Sequence, residues 1–246
     1  MPLYDKPVRM LMHEMVPALG LVFGQVFTKE DAITWFGAHY PLVKEGTLAA
    51  HLIRLSTNNK NRLHYSPRAD GSDDLFFQLD PVRFRLYDVS TDPVPIRDPS
   101  QVAPEAPSAD SGSAASEFAY EHDLRDYLSR NLPLIEHGLR LYSEEGVTGV
   151  EFPAGGRFID ILGVDSSSGY VVIELKVSRG YDRVVGQLLR YMAWIEKHHA
   201  EPNQRVRGII VAKDVSDDLR LACSKVSDVL LFEYSLSVSL KPVALG

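Results

Sequence analysis

The order of apolar and polar positions divides the chain into stretches of different rhythm. Over residues 1–92 helical spacing comes first, in 9–19 (RMLMHEMVPAL) and 28–39 (TKEDAITWFGAH). Thr28 is placed to cap the second of these, Glu30 and Asp31 suit its first turn, and Pro41 stops it. A third helix is expected from about Thr47 (TLAAHLIRLST), with Leu48, Leu52 and Leu55 as its apolar stripe and His51 and Arg54 on the other side. Trp35 and Phe36 read as core. The period then shortens to two in DLFFQLD and RFRLYDV, which meet around Pro81 as a β-hairpin. Beyond Glu117 a long helix is expected in EFAYEHDLRDYLSRNLPLIEHGL, capped by Ser116, with Phe118, Leu124, Tyr127, Leu128 and Leu132 buried. Phe158–Leu162 and Tyr170–Val177 read as strands joined by the turn segment Asp165–Gly169, followed by a helix from about Tyr181. RVRGIIVA and DVLLFEYSL read as further strands on either side of the DDLRLACSKV helix, where Cys223 packs as a small hydrophobe.

Between these halves lies DPVPIRDPSQVAPEAPSADSGSAAS, rich in Pro, Ser and Ala and without an aromatic residue. Such a stretch buries too little apolar area to offset its ordering entropy, so residues 93–116 are expected to form a partly extended linker between domains at 1–92 and 117–246. The 33 acidic and 26 basic side chains give a net charge of minus 7, which excludes a surface coated with positive charge for indiscriminate nucleic-acid binding. That deficit is spread, at minus 1, minus 2 and minus 4 over first domain, linker and second domain. One cysteine permits neither an internal disulfide nor a thiolate-rich zinc site. No apolar run is long enough for a membrane span, and Asp5, Lys6, Arg9, His13 and Glu14 interrupt any secretory signal, so a cytoplasmic protein with no membrane partner is expected.

Three helices followed by a hairpin resembles a winged helix-turn-helix domain, whose third helix enters the major groove while the wing or preceding loop touches phosphate. Residues 44–65 carry Lys44, Arg54, Lys60 and Arg62 against Glu45 alone, a local positive balance in an acidic chain. The expected DNA-contacting residues are His51, Arg54, Asn58, Asn59, Lys60 and Arg62, types that can read base edges or hold phosphate. A packing or dimerisation module with a solvated polar face is the plainer alternative.

The second domain carries the chemistry. Strand periodicity puts Val171, Ile173, Leu175 and Val177 on one face, read as core, and Val172, Glu174 and Lys176 on the other. The hairpin brings the second face near Asp160, the only charge in FIDIL. Charges inside apolar strands are costly unless paired or metal-bound. Asp160 and Glu174 can supply hard oxygen ligands to Mg²⁺ (or Mn²⁺), and Lys176 can orient a water on the cation and offset charge developing on phosphate.

An Asp, thirteen intervening residues, then Glu-Leu-Lys resembles the PD-(D/E)XK nuclease motif. The succession of IDIL, VVIELK and VGQLLRY is similar to the C-terminal domain of the NucS/EndoMS endonucleases, over about residues 117–235. The resemblance implies an α/β, restriction-endonuclease-like mixed sheet flanked by helices, here preceded by the small helical winged domain. It also implies a catalytic set of Asp160, Glu174, Lys176, Glu121 and Gln187, with Asp160, Glu174 and Glu121 toward the metal and Glu136 a weaker choice for the helical glutamate. Gln187 and Tyr191 are four apart and share a helix face, with Arg190 adjacent, so that Arg190 and Tyr191 join the expected DNA contacts. His198 and His199 close that helix near its dipole and are not read as metal ligands.

The function expected is a Mg²⁺-dependent DNA endonuclease that recognises duplex DNA through its first domain, in restriction-type defence or repair. The NucS type carries a β-rich N-terminal domain, so mismatch recognition does not carry over. Two rivals stand beside it: a DNA-binding regulator or scaffold that keeps the nuclease fold without chemistry, and a nuclease for branched, mismatched or single-stranded DNA, or RNA. One site cuts one strand, so double-strand cleavage implies a homodimer or two encounters.

Overall fold

The computed structural model describes residues 4–98, 101, 112–176 and 182–235, with 112–120 and 182 as backbone only. The N-terminal unit runs α1 (Val8–Ala18), β1 (Val26–Thr28), α2 (Lys29–His39), α3 (Glu45–Arg54), a 3-10 segment (Lys60–Tyr65), β2 (Phe76–Gln78) and β3 (Arg83–Leu86). Its strands form an antiparallel sheet in the order β1-β3-β2. Thr28 caps α2 as expected: its hydroxyl accepts the Asp31 N–H at 3.2 Å, and the Asp31 carboxylate accepts the Thr28 N–H at 2.7 Å. Leu48, Leu52 and Leu55 meet Leu11, Met12, Met15, Trp35 and Phe36 in one core.

The C-terminal unit opens with α4 (Gly112–Arg130) and continues through β4 (Arg140–Leu141), β5 (Ser143–Glu144), β6 (Val147–Thr148), β7 (Val150–Ala154), β8 (Arg157–Val164), β9 (Tyr170–Lys176), α5 (Asp182–His198), β10 (Val206–Ala212), α6 (Asp217–Cys223) and β11 (Val229–Glu233). Among the described residues these strands make a six-stranded mixed sheet, β11-β10-β9-β8-β4, with β7 also paired to β8. β8 and β9 are antiparallel, whereas β9, β10 and β11 are parallel, so helices must cross over between them. Ser216 caps α6, its hydroxyl accepting the Leu219 N–H at 3.2 Å, and Cys223 is buried as expected.

Strand β9 is covered on both faces, not on one. Val171, Ile173 and Leu175 meet Leu124 and Leu128 of α4, while Val172 lies in the opposite cluster with Val184, Leu188 and Ile195 of α5. The crossover helices α5 and α6 lie on one face and α4 covers the other, and this double cover is what buries Glu174. Leu124, Leu128 and Leu132 form the expected stripe, but Tyr127 is 54% exposed because that stripe narrows to the four-residue row. The side chains of Ser116 and Phe118, and Val177 and Tyr181, lie outside the described residues. β7 went unread in the sequence; it turns into β8 through Gly155 and Gly156, both at positive φ.

The two units pack against each other. The second face of α3 is not a free polar surface: Ala50 and Ile53 enter the core of the C-terminal unit with Tyr142 and Phe152. Polar contacts cross the same seam. Thr47 donates to Glu144 at 3.1 Å, Arg54 Nη1 to the Gly146 carbonyl at 3.0 Å, Lys44 pairs with Glu201 at 3.0 Å, and His198 meets Glu45 at 2.8 Å. His199 is packed among Tyr142, Phe152 and Tyr170, with neither ring nitrogen partnered among the described residues, and burial depresses its pKa to about 3. The segment expected as linker begins bound to the first unit, through the Ile96 N–H on the Thr57 carbonyl at 2.9 Å, and ends inside α4 from Gly112. Its residues 99–100 and 102–111 lie outside the described residues. Among the described residues no helix is long and apolar enough to cross a membrane.

Candidate active site

The register of the hairpin positions the two strand carboxylates. Ile161 faces Ile173 on β8 and β9, and one step further Asp160 comes opposite Glu174. The Leu175 N–H donates to Asp160 Oδ2 at 2.8 Å, fixing one oxygen. On α5, Gln187 Nε2 donates to Glu174 Oε2 at 2.7 Å, which makes it the side chain that orients Glu174. Lys176 ends β9, half-buried, two residues on and on the same strand face. Residues predicted from separate elements are thus brought to one end of the sheet.

The electrostatics of this pair favour a cation. Asp160 is pushed well above the ordinary carboxylate range, first by burial and then by Glu121 and Glu151, while the Leu175 N–H and Arg125 pull the other way. Glu174 is pushed up by burial and by Asp160, with Arg190 opposing. Glu174 Oε1 is buried and has no hydrogen-bond partner among the described residues. An orphaned carboxylate oxygen facing a second, half-buried carboxylate is a donor set that suits a hard divalent ion. Glu121, half-buried on α4, lies close enough to raise both carboxyls, yet among the described residues no three His, Cys, Asp or Glu side chains converge as a ready-made metal cage. Glu136 instead pairs with Arg207 at 2.7 Å.

The residues expected to touch DNA are placed very differently. His51 and Arg62 are wholly buried and Arg54 is 9% exposed. His51 shares Nδ1 with the Thr47 carbonyl at 3.0 Å, and burial, the leading cause, lowers its pKa to about 4. Arg54 donates to Asp73 at 3.1 Å, and Arg62 to Asp74 at 2.8 Å and to the Arg54 carbonyl at 3.1 Å. Arg54 thus braces the seam through the Gly146 carbonyl and Arg62 braces the inside of the N-terminal unit, and neither faces a groove. Asn58 exchanges two 2.8 Å hydrogen bonds with the Gln78 backbone, so it holds the loop to β2. Asn58, Asn59 and the exposed Lys60 line a cleft of about 650 Å³ between the β2–β3 hairpin and the turn before β8. Tyr191 is buried under the Arg190 guanidinium, which stacks 4.5 Å from its ring and is itself exposed.

The site's geometry agrees with what comparison of the chain with known proteins finds. Residues 120–226 match the family model of the Endonuclease NucS C-terminal domain. The C-terminal domain is NucS-like. Endonuclease NucS of Methanopyrus kandleri is 35% identical over 113 residues, covering 46% of this chain and 40% of that protein. That of Methanocaldococcus jannaschii is 33% identical over 96 residues, covering 39% and 34%. The chain thus spans well under half the length of the curated relatives it matches, and the similarity lies in the NucS-like domain. A repair endonuclease from Pyrococcus abyssi, known as a crystal structure, covers 54% of this chain and 49% of its own, with 23% identity and a TM-score of 0.38. Residues 7–86 match a separate model, described as a domain of unknown function, DUF7669.

Sequence reasoning missed two side chains beside the NucS-like site, Arg125 and Glu151. Arg125 stands four residues after Glu121 and so on the same helix face. Glu151 precedes a Gly-Gly turn and a strand, a hairpin signal that would have placed it beside Asp160.

Proposed function

We propose that this protein is a divalent-cation-dependent endonuclease that hydrolyses phosphodiester bonds in double-stranded DNA. The observation that carries the reading is the pairing of half-buried Asp160 with buried Glu174 across β8 and β9, with Gln187 on one Glu174 oxygen and, among the described residues, nothing on the other. Asp160 and Glu174 would hold the cation, Mg²⁺ or Mn²⁺, with Glu121 at its flank; the bound ion would supply a Lewis acid for phosphate and acidify water. Asp160 is oriented by the Leu175 N–H and Glu174 by Gln187, so neither carboxylate needs to reorganise as charge develops. Lys176 places an ammonium on the same strand face, where it can orient the attacking water and neutralise charge on the phosphate. The exposed cations Arg157, Arg183 and Arg190 give the surface around the site its phosphate contacts, and binding through so few charges is strongly salt-dependent.

The N-terminal domain acts here as a docked module, and any duplex contact it makes uses surfaces other than the buried face of α3. We place the protein in the cytoplasm, in DNA repair or restriction-type defence, with two copies or two encounters needed for a double-strand break. The test is cleavage of supercoiled plasmid with Mg²⁺ by wild type and by Asp160→Ala, Glu174→Ala and Lys176→Ala. Each variant is expected to lose on the order of 10²-fold or more of the rate. Retained cleavage in all three sinks the reading. Linear, nicked, mismatched, flapped and modified duplexes in the same assay separate repair from restriction.

A further inference from the structure

One side chain touches both the N-terminal domain and the surroundings of Asp160. Glu151 lies on β7 at the position opposite Asp160, because Val150 faces Ile161 and Phe152 faces Ile159 on either side of it. In a regular antiparallel ladder opposed side chains share a face, which would stand a third carboxylate beside Asp160 and Glu174. The backbone at Glu151 instead has a φ of +46°, a left-handed conformation uncommon outside glycine. Its carboxylate is held between two partners: Oε1 takes Arg125 of α4, and Oε2 takes His64 of the N-terminal domain at 3.1 Å. The Glu151 carbonyl also accepts the Tyr65 hydroxyl at 3.4 Å. Arg125 in turn meets His122, next to Glu121, and its side chain is 8% exposed. Glu151 and Arg125 act on the Asp160 carboxyl in opposite directions.

We propose that Glu151 is a positioning residue that neutralises and orients Arg125 beside the Asp160–Glu174 pair, so setting how tightly that pair holds a divalent cation. Through His64 it also gives the N-terminal domain a hold on the strand next to the site. The inference rests on the cation-dependent reading above. Its physical basis is that an uncompensated guanidinium at this position repels an incoming cation and is free to turn onto Asp160, occupying the oxygen the cation needs.

The test measures Mn²⁺ binding to the full chain by calorimetry, without DNA, alongside kcat and KM on a cleavable duplex. Glu151→Gln keeps the shape and removes the charge; its Mn²⁺ Kd is expected to rise about tenfold, and kcat to fall with KM for DNA unchanged. Glu151→Gln with Arg125→Met, which removes both charges, is expected to return to within about threefold of wild type, a rescue that lost packing would not give. His64→Ala is expected to weaken Mn²⁺ binding in the same direction by a smaller factor, and Arg125→Met alone not to weaken it, so these two carry the test if Glu151→Gln does not fold. Unchanged Mn²⁺ affinity in Glu151→Gln, a double variant as weak as the single, or a wild type that binds no Mn²⁺ overturns the proposal. A wild type that binds Mn²⁺ but cuts no DNA removes the cleavage reading alone.

Discussion

A single methyl group at Gly46 tests whether the two domains are docked. Gly46 sits in the first turn of α3, and a Cβ there would lie 2.6 and 2.8 Å from the Phe152 ring and 2.9 Å from His199 Nδ1. Neither neighbour gives way cheaply: Phe152 is wholly buried against Tyr142, and His199 is 1% exposed. On an exposed helix Gly→Ala gains up to about 1 kcal/mol from backbone entropy. Overpacking a filled site costs about 1–3 kcal/mol. The two terms oppose each other, so the sign of the net effect reports whether the seam is closed. With docked domains, Gly46→Ala is expected to lower stability by about 1–2 kcal/mol, a fall of roughly 2–8 °C in Tm for a chain this long. Thermal unfolding of the full chain, with limited proteolysis, reads it. In a Phe152→Leu background the same change should cost less, since the ring that blocks the methyl is gone. A Gly46→Ala chain more stable than wild type by about 1 kcal/mol would mean that α3 faces solvent.

Three further outcomes follow from the site. Metal-free Asp160→Asn is expected to be more stable than wild type at pH 8 by about 1–2 kcal/mol, because it removes a carboxyl whose ionisation burial and the neighbouring carboxyls make costly in the folded state, while its amide oxygen can still accept the Leu175 N–H; a lower Tm contradicts this. Gln187→Ala leaves Glu174 without its orienting donor and is expected to reduce cleavage by about 10- to 100-fold with the fold intact, whereas an unaltered rate would make that amide a surface feature. Burial alone would raise the Glu151 pKa, but His64 and Arg125 outweigh it and lower it to about 2. A lowered carboxylate pKa stabilises the fold above the unfolded value near 4.5, and that stability is lost as pH falls toward 2, on the order of 3 kcal/mol in all. Acid titration of wild type should therefore show a loss between about pH 5 and 2 that Glu151→Gln lacks, and superimposable curves would refute it.

What the sequence showed and what it hid have physical reasons. The strands carrying Asp160 and Glu174 were readable because two short runs rich in Ile, Val and Leu flank the turn segment Asp165–Gly169 and so pair as a hairpin, and that pairing sets the two carboxylates side by side. Thr28 was readable as a cap because capping is local chemistry. His51, Arg54 and Arg62 misled for the opposite reason. A cation on the polar side of a helix looks the same in sequence whether it faces water, a phosphate or a second domain, and Asp73, Asp74 and the Gly146 carbonyl, which hold these arginines, are scattered along the chain. The linker reading failed at its edges for a related reason: composition reports what a segment can bury by itself, and Pro95 is buried against a surface it does not supply.

The same distinction bears on how an acidic chain could engage a polyanion. Its net charge of minus 7 counts each side chain once, yet the arginines nearest the seam are spent on buried aspartates and carbonyls, while two of the carboxylates are confined opposite each other with an oxygen left over. Charge that is already paired contributes little to a field outside the protein, whereas a buried pair of like charges is a strong and local demand for a cation. Affinity for phosphate in such a molecule would come from the ion it binds and from a few exposed arginines, not from its overall charge. Changing Arg54 or Arg62 should then alter stability, and changing Arg157, Arg183 or Arg190 should alter salt-dependent binding, with little exchange between the two effects.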